Sequence, residues 1–403
     1  MNQVRNVVVA CGYAYVEGGA AKMAINTAVL LSRTPGLRVF FIGGCGEAVP
    51  ELRDSGVTCL LLGLPDLMTN PSKADAFLHG IYNKEVYRKV KEFLRDLDPA
   101  ETVMHVHTWT KVLTTAVFRA ADDCGIRIFL TTHDYFLACP NGGCYNYVDR
   151  KICELKPMSP RCVLCNCDSR NYAYKAWRCL RQWKQNRVLR KIDVRYIFIS
   201  AFQREQLHRR GVKARKEYYL RNVIRTGERH RVKAEENDIF LMAGRLAPEK
   251  GAELFCEAVT MAGVKAVAVG DGPLKADLEK AFPEIQFPGW LSPEEVLQWG
   301  EKARCFVFPS VWYEGSPLSV PEMQAYGIPC IVTDCSSATD TVEDRKNGFI
   351  VRANAREMAY AIRQLSEDDV VKELSEKAYE MFDGESTSEE KYVEELMRIF
   401  NEG

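Results

Sequence analysis

The sequence predicts an α/β protein built from two doubly wound parallel sheets. Short β-branched runs alternate with segments of helical periodicity in both halves of the chain, and a charged stretch from Thr226 to Asp238 separates the two series. At roughly 100 to 200 residues per domain, 403 residues suffice for about two or three domains. Because 47% of the residues are hydrophobic, as in ordinary globular proteins, we expect most of the chain to fold.

The first series, residues 1–223, has the pattern of a Rossmann-like domain. Each expected strand is a short apolar run, and each expected helix has apolar residues three and four positions apart. The predicted strands are 6–10, 37–42, 103–107, 127–132 and 196–200, and the predicted helices are 20–32 and 110–124.

The second series predicts a similar domain over residues 238–384, with residues 224–237 as the linker. Its predicted strands are 239–243, 265–270, 305–309 and 328–333, and its predicted helices are 251–261, 274–281 and 320–326. The last segment, 385–403, contains an amphipathic helix over 389–400 that we expect to pack back on the N-terminal domain. Because open α/β sheets bind ligands at the carboxyl ends of their strands, we expect the functional site in the cleft between the domains.

Positive and negative charges balance over the whole chain but not locally. Lys plus Arg and Asp plus Glu both number 54, so the net charge gives no reason to expect a nucleic-acid partner. Residues 170–233 hold 20 Lys or Arg against four Asp or Glu, which predicts one basic face. No apolar run reaches the roughly 18 to 20 residues that cross a bilayer, and residues 1–10 are too short for a signal core with its cleavage site. We therefore expect a cytoplasmic protein.

The segment from Asn171 to Ile192 predicts a basic amphipathic helix with aromatic residues. Its apolar positions are Trp177, Leu180, Trp183 and Val188, and its basic positions are Arg178, Arg181, Lys184, Arg187, Arg190 and Lys191. Such a helix can lie peripherally on an anionic membrane, here the inner membrane face. The alternatives are a helix that binds a polyanionic or lipid-diphosphate acceptor, and a core-packed helix with a solvated basic face.

Seven of the 15 cysteines fall between Cys139 and Cys179, in a segment that we name the cysteine-rich insert (residues 139–179). A cytoplasmic location and an odd total argue against a disulfide framework. The two-residue spacing from Cys162 to Cys165 suits a thiolate chelate. We predict a structural zinc ion held by a subset of five thiols: Cys139, Cys153, Cys162, Cys165 and Cys167. Free buried thiols, an iron–sulfur cluster and a disulfide are the alternatives.

A predicted strand–loop–helix junction carries Glu314 and Glu322, with seven residues between them. The backbone N–H groups of residues 315–319 would lie unpaired at the start of the helix, where a phosphate group is favoured. The two carboxylates are too far apart to share a proton, so we expect separate roles for them. The alternative is that both merely favour the positive end of the helix dipole.

A second candidate element follows the predicted strand 239–243. Arg245 and Lys250 come just after this strand and before the next helix. A guanidinium group can engage phosphate oxygens bidentately, and an ammonium group adds a mobile point charge, so the two could hold a diphosphate. The alternative is ordinary surface charge.

In combination these segments resemble the retaining glycosyltransferases of family 4, which have the GT-B fold of two Rossmann-like domains facing an interdomain cleft. In the C-terminal half the resemblance rests on the order and spacing of residues 245–250, Val269-Gly-Asp-Gly-Pro273, Phe287-Pro-Gly-Trp-Leu291, and the two glutamates followed by Gly327-Ile-Pro. In the N-terminal half it rests on Gly18-Gly19, His105-Val-His107 and Thr132-His133-Asp134.

The resemblance implies a hexosyltransferase that needs no catalytic metal or other cofactor and moves a sugar from a nucleotide diphosphate to an acceptor hydroxyl. Arg245 and Lys250 would neutralise the diphosphate, and His133 would face the sugar and the β-phosphate. Glu314 would hold the sugar hydroxyls and Glu322 the ribose hydroxyls. The other donor-binding residues would be Gly18, Gly19, Gly270, Trp290, Leu291, Gly315, Ser316, Pro317, Leu318 and Ser319.

The resemblance also implies that the N-terminal domain binds the acceptor. We expect a lipid-linked saccharide in the biosynthesis of a surface polysaccharide. Two alternatives share the architecture: a nucleotide-sugar epimerase, which would convert the donor without an acceptor, and a catalytically silent nucleotide-sugar-binding protein.

Overall fold

The computed structural model describes residues 3–67 and 69–403 and contains two parallel sheets, each at the centre of its own domain. Met1 and Asn2, which belong to the stretch judged too short for a signal core, lie outside the described residues, as does Met68. The predicted fold class of two Rossmann-like domains is therefore confirmed.

The N-terminal sheet has seven parallel strands. They are β1 (Asn6–Tyr13), β2 (Arg38–Cys45), β3 (Thr58–Leu61), β4 (Thr102–Val106), β5 (Arg127–Thr132), β8 (Val194–Phe198) and β9 (Glu217–Tyr219), in the spatial order β3-β2-β1-β4-β5-β8-β9. All eight residues of β1 are buried. Because helices cover both faces of the sheet, the sequence of β1 is a nearly continuous apolar run.

The helices of this domain connect the strands or lie in the insert. They are α1 (Gly19–Ser32), α2 (Pro50–Arg53), α3 (Lys73–His79), α4 (Lys84–Leu94), α5 (Ala116–Asp123), α6 (Pro160–Leu164), α7 (Tyr172–Leu189) and α8 (Ala201–Arg209). The cysteine-rich insert contains α6, part of α7 and a two-stranded antiparallel hairpin, β6 (Tyr145–Asn146) with β7 (Lys151–Ile152). None of the helices in the described part of the chain is both long and apolar enough to cross a bilayer.

The C-terminal sheet has six parallel strands. They are β10 (Ile239–Ala243), β11 (Lys265–Val269), β12 (Gln286–Gly289), β13 (Ala303–Phe308), β14 (Cys330–Thr333) and β15 (Gly348–Val351), in the spatial order β12-β11-β10-β13-β14-β15. The later helices of the chain are α9 (Ala252–Ala262), α10 (Lys275–Ala281), α11 (Pro293–Gly300), α12 (Ser319–Gln324), α13 (Ala355–Gln364), α14 (Asp368–Met381) and α15 (Glu389–Glu402). Short 3-10 turns occur at Ala234–Glu236, Pro248–Lys250 and Ser337–Asp340.

The last helix, α15, packs on the N-terminal domain. Its apolar face, which includes Phe400, is buried in the N-terminal core. The Phe400 ring lies 5.0 Å from the Phe129 ring of β5, and the Tyr392 hydroxyl forms a 2.8 Å hydrogen bond with Thr27 of α1. The chain therefore crosses between the domains twice, once before β10 and once after α14. At the first crossing, Ala234 within the predicted linker 224–237 already belongs to the C-terminal core.

The predicted helix 110–124 is wrong in its first half. Residues 110–115 form turns, and α5 begins only at Ala116. Thr114 has a φ of +54°, and its hydroxyl accepts hydrogen bonds from the backbone N–H groups of Asn83 and Ala116. A long-range contact, which apolar periodicity does not encode, thus fixes a turn where the sequence pattern favours a helix.

Candidate active site in the interdomain cleft

Each sheet has a point where the strand order reverses, between β1 and β4 in the first sheet and between β10 and β13 in the second. Ligands of open α/β sheets bind outside the carboxyl ends of the strands at such points. In the first domain, β1 leads to Gly18 and Gly19. In the second domain, β10 leads to Arg245, and β13 leads to the loop that contains Glu314.

A cavity of about 200 Å³ lies at the ends of β10 and β13. Arg245, Lys250 and Glu314 all line it, together with Pro317 and Ser319 from the segment before α12. The two candidate cations, the candidate carboxylate and two residues of the predicted phosphate-binding loop therefore face one space. Ser316 and Leu318 of that loop line a separate cavity.

Glu314 is held through one of its two carboxylate oxygens. Its Oε1 accepts hydrogen bonds from Lys250 Nζ at 2.6 Å, Trp312 Nε1 at 2.6 Å and Ser310 Oγ at 3.0 Å. Its Oε2 has no hydrogen-bond partner within residues 3–67 and 69–403. Because Oε1 is already saturated by three donors, the carboxylate has a fixed orientation and one oxygen left to accept from a ligand.

Both cations of the site are ion-paired. Lys250 pairs with Glu314, and Arg245 pairs with the buried Glu249 four residues later. The Arg245 side chain is nevertheless 56% exposed, so its guanidinium group keeps donors for a ligand. Both cations follow β10, as predicted. Their pairing with Glu249 and Glu314 was not predicted.

The segment between Glu314 and Glu322 presents free backbone donors. Five N–H groups donate no hydrogen bond to any described residue, and they belong to Gly315, Ser316, Leu318, Ser319 and Val320. Because α12 has only six residues, its dipole is weak. Hydrogen bonds from these backbone amides would therefore contribute more to anion binding than the helix dipole. The loop can thus bind phosphate oxygens by direct hydrogen bonds.

Glu322 lies on α12, and its carboxylate has no hydrogen-bond partner in the described part of the chain. Burial raises the pKa of its carboxyl group, and the positive charge of Lys22 in α1 opposes that rise. Lys22 belongs to the other domain, so its charge acts on Glu322 across the cleft. Lys22 was not predicted as a site residue. Its position three residues after Gly19, at the start of α1, was the sequence feature that could have indicated it.

His133 is half-buried at the end of a row of three imidazoles, of which His105 and His107 are buried. Its Nε2 lies 2.9 Å from Nδ1 of His107, and the ring of His107 lies 4.2 Å from that of His105. Burial lowers the pKa of His133 to about 4 and that of His105 to about 3. His133 is therefore neutral near pH 7, which suits a hydrogen-bonding role better than that of a counter-charge for phosphate.

The glycines of the site leave room for ligand or backbone. A side chain at Gly18 or Gly19 would contact nothing within 4 Å, so this loop borders open space. Gly270 has a φ of +135°, and a Cβ atom there would lie 1.9 Å from the carbonyl oxygen of Gly244. Only glycine fits at position 270, because the turn after β11 packs directly against the turn that precedes Arg245.

Of the predicted donor-binding residues, only Arg245, Lys250, Glu314, Pro317 and Ser319 line the cavity. The others do not line it, and they are Gly18, Gly19, His133, Gly270, Trp290, Leu291, Gly315, Ser316, Leu318 and Glu322. The Trp290 side chain is 74% exposed, and Leu291 packs against the C-terminal core. Neither side chain lines the 200 Å³ space. Both residues directly follow β12, so a nucleobase could still meet their backbone at the sheet edge.

The thiols of the cysteine-rich insert gather around a buried ammonium group. A small cavity is lined by Cys139, Cys144, Cys153, Cys162 and Cys167, together with Lys175 and Arg210. Lys175 Nζ lies 3.3 Å from the Cys167 sulfur and 3.8 Å from the Cys162 sulfur. Within the described ranges, no three potential ligands are arranged to hold a metal ion. The Cys165 sulfur contacts Asn146 at 3.9 Å.

Structural zinc in the insert therefore stays a prediction. A tetrathiolate zinc centre has a net negative charge, which Lys175 and Arg210 beside the thiols would offset. Protein purified without chelator should then carry about one zinc ion per chain, measured by elemental analysis. Less than about 0.2 zinc per chain would contradict the prediction and favour free thiols.

The C-terminal domain is similar to known glycosyltransferases. The model of the family "Glycosyl transferases group 1" matches residues 237–368. The UDP-Gal:alpha-D-GlcNAc-diphosphoundecaprenol alpha-1,3-galactosyltransferase of Escherichia coli is 31% identical over 130 residues, which are 29% of this chain and 33% of that protein. The N,N'-diacetylbacillosaminyl-diphospho-undecaprenol alpha-1,3-N-acetylgalactosaminyltransferase of Campylobacter jejuni is 30% identical over 142 residues, or 34% of this chain and 37% of that protein.

The chain thus spans only about a third of the length of these curated relatives. Among solved structures, that of Anabaena Alr3699/HepE in complex with UDP matches with a TM-score of 0.69 at 14% identity, over 99% of this chain and 100% of that one. At this identity the likeness shows the fold. Residues 237–368 therefore match the model of the group 1 glycosyl transferases, and the chain as a whole has the two-domain GT-B fold.

Proposed function

We propose that this protein is a retaining glycosyltransferase that moves a hexose from a UDP-sugar to a hydroxyl group of a lipid-linked saccharide. The convergence of Arg245, Lys250 and Glu314 on one cavity, beside unpaired backbone amides, is the observation that carries the proposal. This arrangement offers positive charge and N–H donors for a diphosphate, and a fixed carboxylate for sugar hydroxyls.

The names of the relatives support the choice of donor and acceptor. The Escherichia coli enzyme is named for UDP-Gal and a diphosphoundecaprenol-linked GlcNAc, and the Anabaena protein was also crystallised with UDP-glucose. Both bacterial relatives are named for an alpha-1,3 linkage. Since common UDP-hexoses carry an α-linked sugar, transfer to an α-linked product retains the anomeric configuration.

The proposed reaction breaks the bond between the anomeric carbon and the β-phosphate oxygen. Positive charge develops on the sugar and negative charge on the departing diphosphate, which Arg245, Lys250 and the amides of residues 316–320 would stabilise. The acceptor hydroxyl attacks from the same face, and its proton passes to the leaving phosphate oxygen. In this mechanism Glu314 and His133 orient the sugar by hydrogen bonds, and no metal ion is required.

The acceptor would reach the cleft from the N-terminal domain, where α7 and α3 form an apolar surface. Leu180 and Trp183 of α7 are 44% and 53% exposed, and Phe77 and Leu78 of α3 are 47% and 64% exposed. Leu180 and Trp183, predicted as part of an apolar face, thus lie at the surface. Exposed aromatic and aliphatic side chains beside cations suit the interface of an anionic membrane.

The basic face of α7 differs in part from its prediction. Arg181 is buried, donates to the carbonyl of Pro140 and lies over the ring of Phe136, because the insert packs against this side of the helix. Arg187 and Arg190 remain exposed, and Arg187 lies over the Trp183 ring. These two cations, together with the exposed Lys191 that follows α7, can therefore meet lipid headgroups.

Charge reversal on α7 tests this surface. Arg187→Glu with Arg190→Glu should lower binding to phosphatidylglycerol vesicles at least about 10-fold, since each cation near an anionic surface contributes about 1 kcal/mol. Sedimentation with vesicles measures the effect, and Lys280→Glu on the far domain should bind like the wild type. Equal wild-type binding to phosphatidylglycerol and phosphatidylcholine vesicles would contradict an electrostatic role for α7.

Transfer itself is tested with labelled UDP-galactose or UDP-glucose and GlcNAc-diphosphoundecaprenol as the acceptor. We expect a labelled lipid product, an α linkage by NMR, one UDP released per sugar moved, and undiminished turnover in EDTA. Conversion of the donor into another UDP-sugar without an acceptor product would contradict the proposal and indicate an epimerase.

A further inference from the structure

The loop that carries Glu314 is held by the N-terminal domain as well as by its own. Tyr135 donates a hydrogen bond from its hydroxyl to the backbone carbonyl of Glu314 at 3.3 Å. A Cβ atom at Gly315 would lie 3.0 Å from the carbonyl oxygen of His133, so the two backbones are in close contact. The position of the carboxylate therefore depends on contacts across the cleft.

The residue before Glu314 is enclosed by the same domain. The Tyr313 ring lies 5.8 Å from the Tyr135 ring and 5.6 Å from the Phe202 ring, and the guanidinium of Arg210 lies 4.9 Å above it. Arg210 in turn donates to the backbone carbonyl of Cys153 in the cysteine-rich insert. The insert is thus linked to the loop through an aromatic and cationic contact.

Trp312 makes the most direct link between the insert and the carboxylate. Its indole N–H donates to Glu314 Oε1 at 2.6 Å, and the Lys250 ammonium lies over its ring at 5.2 Å. A Cβ atom at Gly143 would lie 3.1 Å from the Trp312 ring, so the insert backbone packs against the indole and an added methyl group would be closer than ordinary van der Waals contact. An indole wedged in this way has few alternative rotamers.

We propose that Trp312 is a positioning residue for Glu314 and that the cysteine-rich insert holds Trp312 in place through Gly143. The inference rests on the proposed function, since it assigns Glu314 to the sugar of a sugar nucleotide. Trp312 fixes the oxygen that does not face the ligand, which leaves Oε2 oriented toward the sugar. The insert thereby links the N-terminal domain, which would bind the acceptor, to the Glu314 carboxylate, which would contact the donor sugar.

Trp312→Phe keeps an aromatic ring against Gly143 and removes the N–H donor. A hydrogen bond to a charged group is worth about 10- to 100-fold in binding or rate. We expect the Kd for UDP-glucose to rise, and turnover to fall, by about 10-fold or more relative to the wild type. The Kd for UDP should stay within about twofold of the wild-type value. Calorimetry with UDP and UDP-glucose measures the binding, so the test does not depend on transfer. Trp299→Phe on α11 is the matched control and should change neither value.

Gly143→Ala tests the part played by the insert. The added methyl group would crowd the Trp312 ring and the Tyr147 hydroxyl at 3.1 and 3.2 Å. With an unchanged melting temperature, UDP-glucose binding should weaken as in Trp312→Phe while UDP binding is kept. Wild-type affinity of Trp312→Phe for UDP-glucose overturns the role of Trp312, and wild-type affinity of Gly143→Ala overturns that of the insert. If both variants behave as expected but no sugar is transferred, the proposed function fails and this inference stands.

Discussion

Glu314→Gln should lower kcat for sugar transfer by about 10²- to 10³-fold, the usual loss when one preorganised charged group of a transition-state site is removed. The side chain keeps its shape but loses its charge, so Lys250 loses its ion-pair partner and the free oxygen becomes a weaker acceptor for a sugar hydroxyl. Transfer assays with the labelled UDP-sugar measure the loss. Binding of UDP without a sugar should stay close to that of the wild type.

A matched control separates the site from a general effect of lost charge. Glu257→Gln on α9 removes an exposed carboxylate of the same domain and should leave both turnover and UDP binding unchanged. Wild-type turnover of Glu314→Gln, with the variant folded as judged by its melting temperature, would show that this carboxylate is not part of the site.

Lys250→Ala should weaken both nucleotide binding and turnover. Its ammonium group lies in the cavity where a diphosphate would bind, and it is also one of three donors to Glu314. We expect the Kd for UDP to rise about 10- to 100-fold, as for the loss of one charge-assisted hydrogen bond, and kcat/KM to fall at least as far. Calorimetry with UDP and transfer kinetics measure the two effects.

Weakened UDP binding should distinguish Lys250→Ala from Glu314→Gln, which should bind UDP about as the wild type does. Lys280→Ala removes an exposed ammonium group from α10 and should affect neither quantity. If Lys250→Ala bound UDP as tightly as the wild type does, Lys250 would serve only to hold Glu314, and a different group would have to meet the diphosphate.

The central strands of both sheets were predictable because their buried, β-branched runs stand out from the helical segments between them. The edge strands were not predicted. β3, β9 and β15 have only three or four residues, and β12 contains a proline, so their patterns are too short or too irregular to recognise. The turns at 110–115 were missed because the partner of Thr114 is 31 residues away in sequence.

The site was predictable in its residue types but not in its pairings. The positions of Arg245 and Lys250 after a predicted strand suit a diphosphate, whereas the sugar and ribose roles of Glu314 and Glu322 came from the family resemblance. Three of these four side chains line one cavity. The ion pair between Lys250 and Glu314 joins separate elements 64 residues apart, so no local pattern reveals it. Trp312 lies two residues before Glu314 in the sequence, and this was the feature that could have indicated a third hydrogen-bond donor to the carboxylate.

The contacts made by the cysteine-rich insert were the least predictable part of the molecule. Its thiol spacing indicated metal chemistry, whereas the structure places a buried lysine among the thiols and a glycine of the insert against Trp312. Both facts depend on how α7 and the C-terminal domain pack around the insert. Periodicity and spacing describe single elements and do not encode such packing.

A crystal structure with UDP bound would decide where this protein holds the diphosphate. We expect the diphosphate inside the 200 Å³ cavity, within hydrogen-bond distance of Arg245, Lys250 and the backbone amides that follow Glu314. UDP bound elsewhere on the chain, with Arg245 and Lys250 still paired only to Glu249 and Glu314, would contradict this expectation.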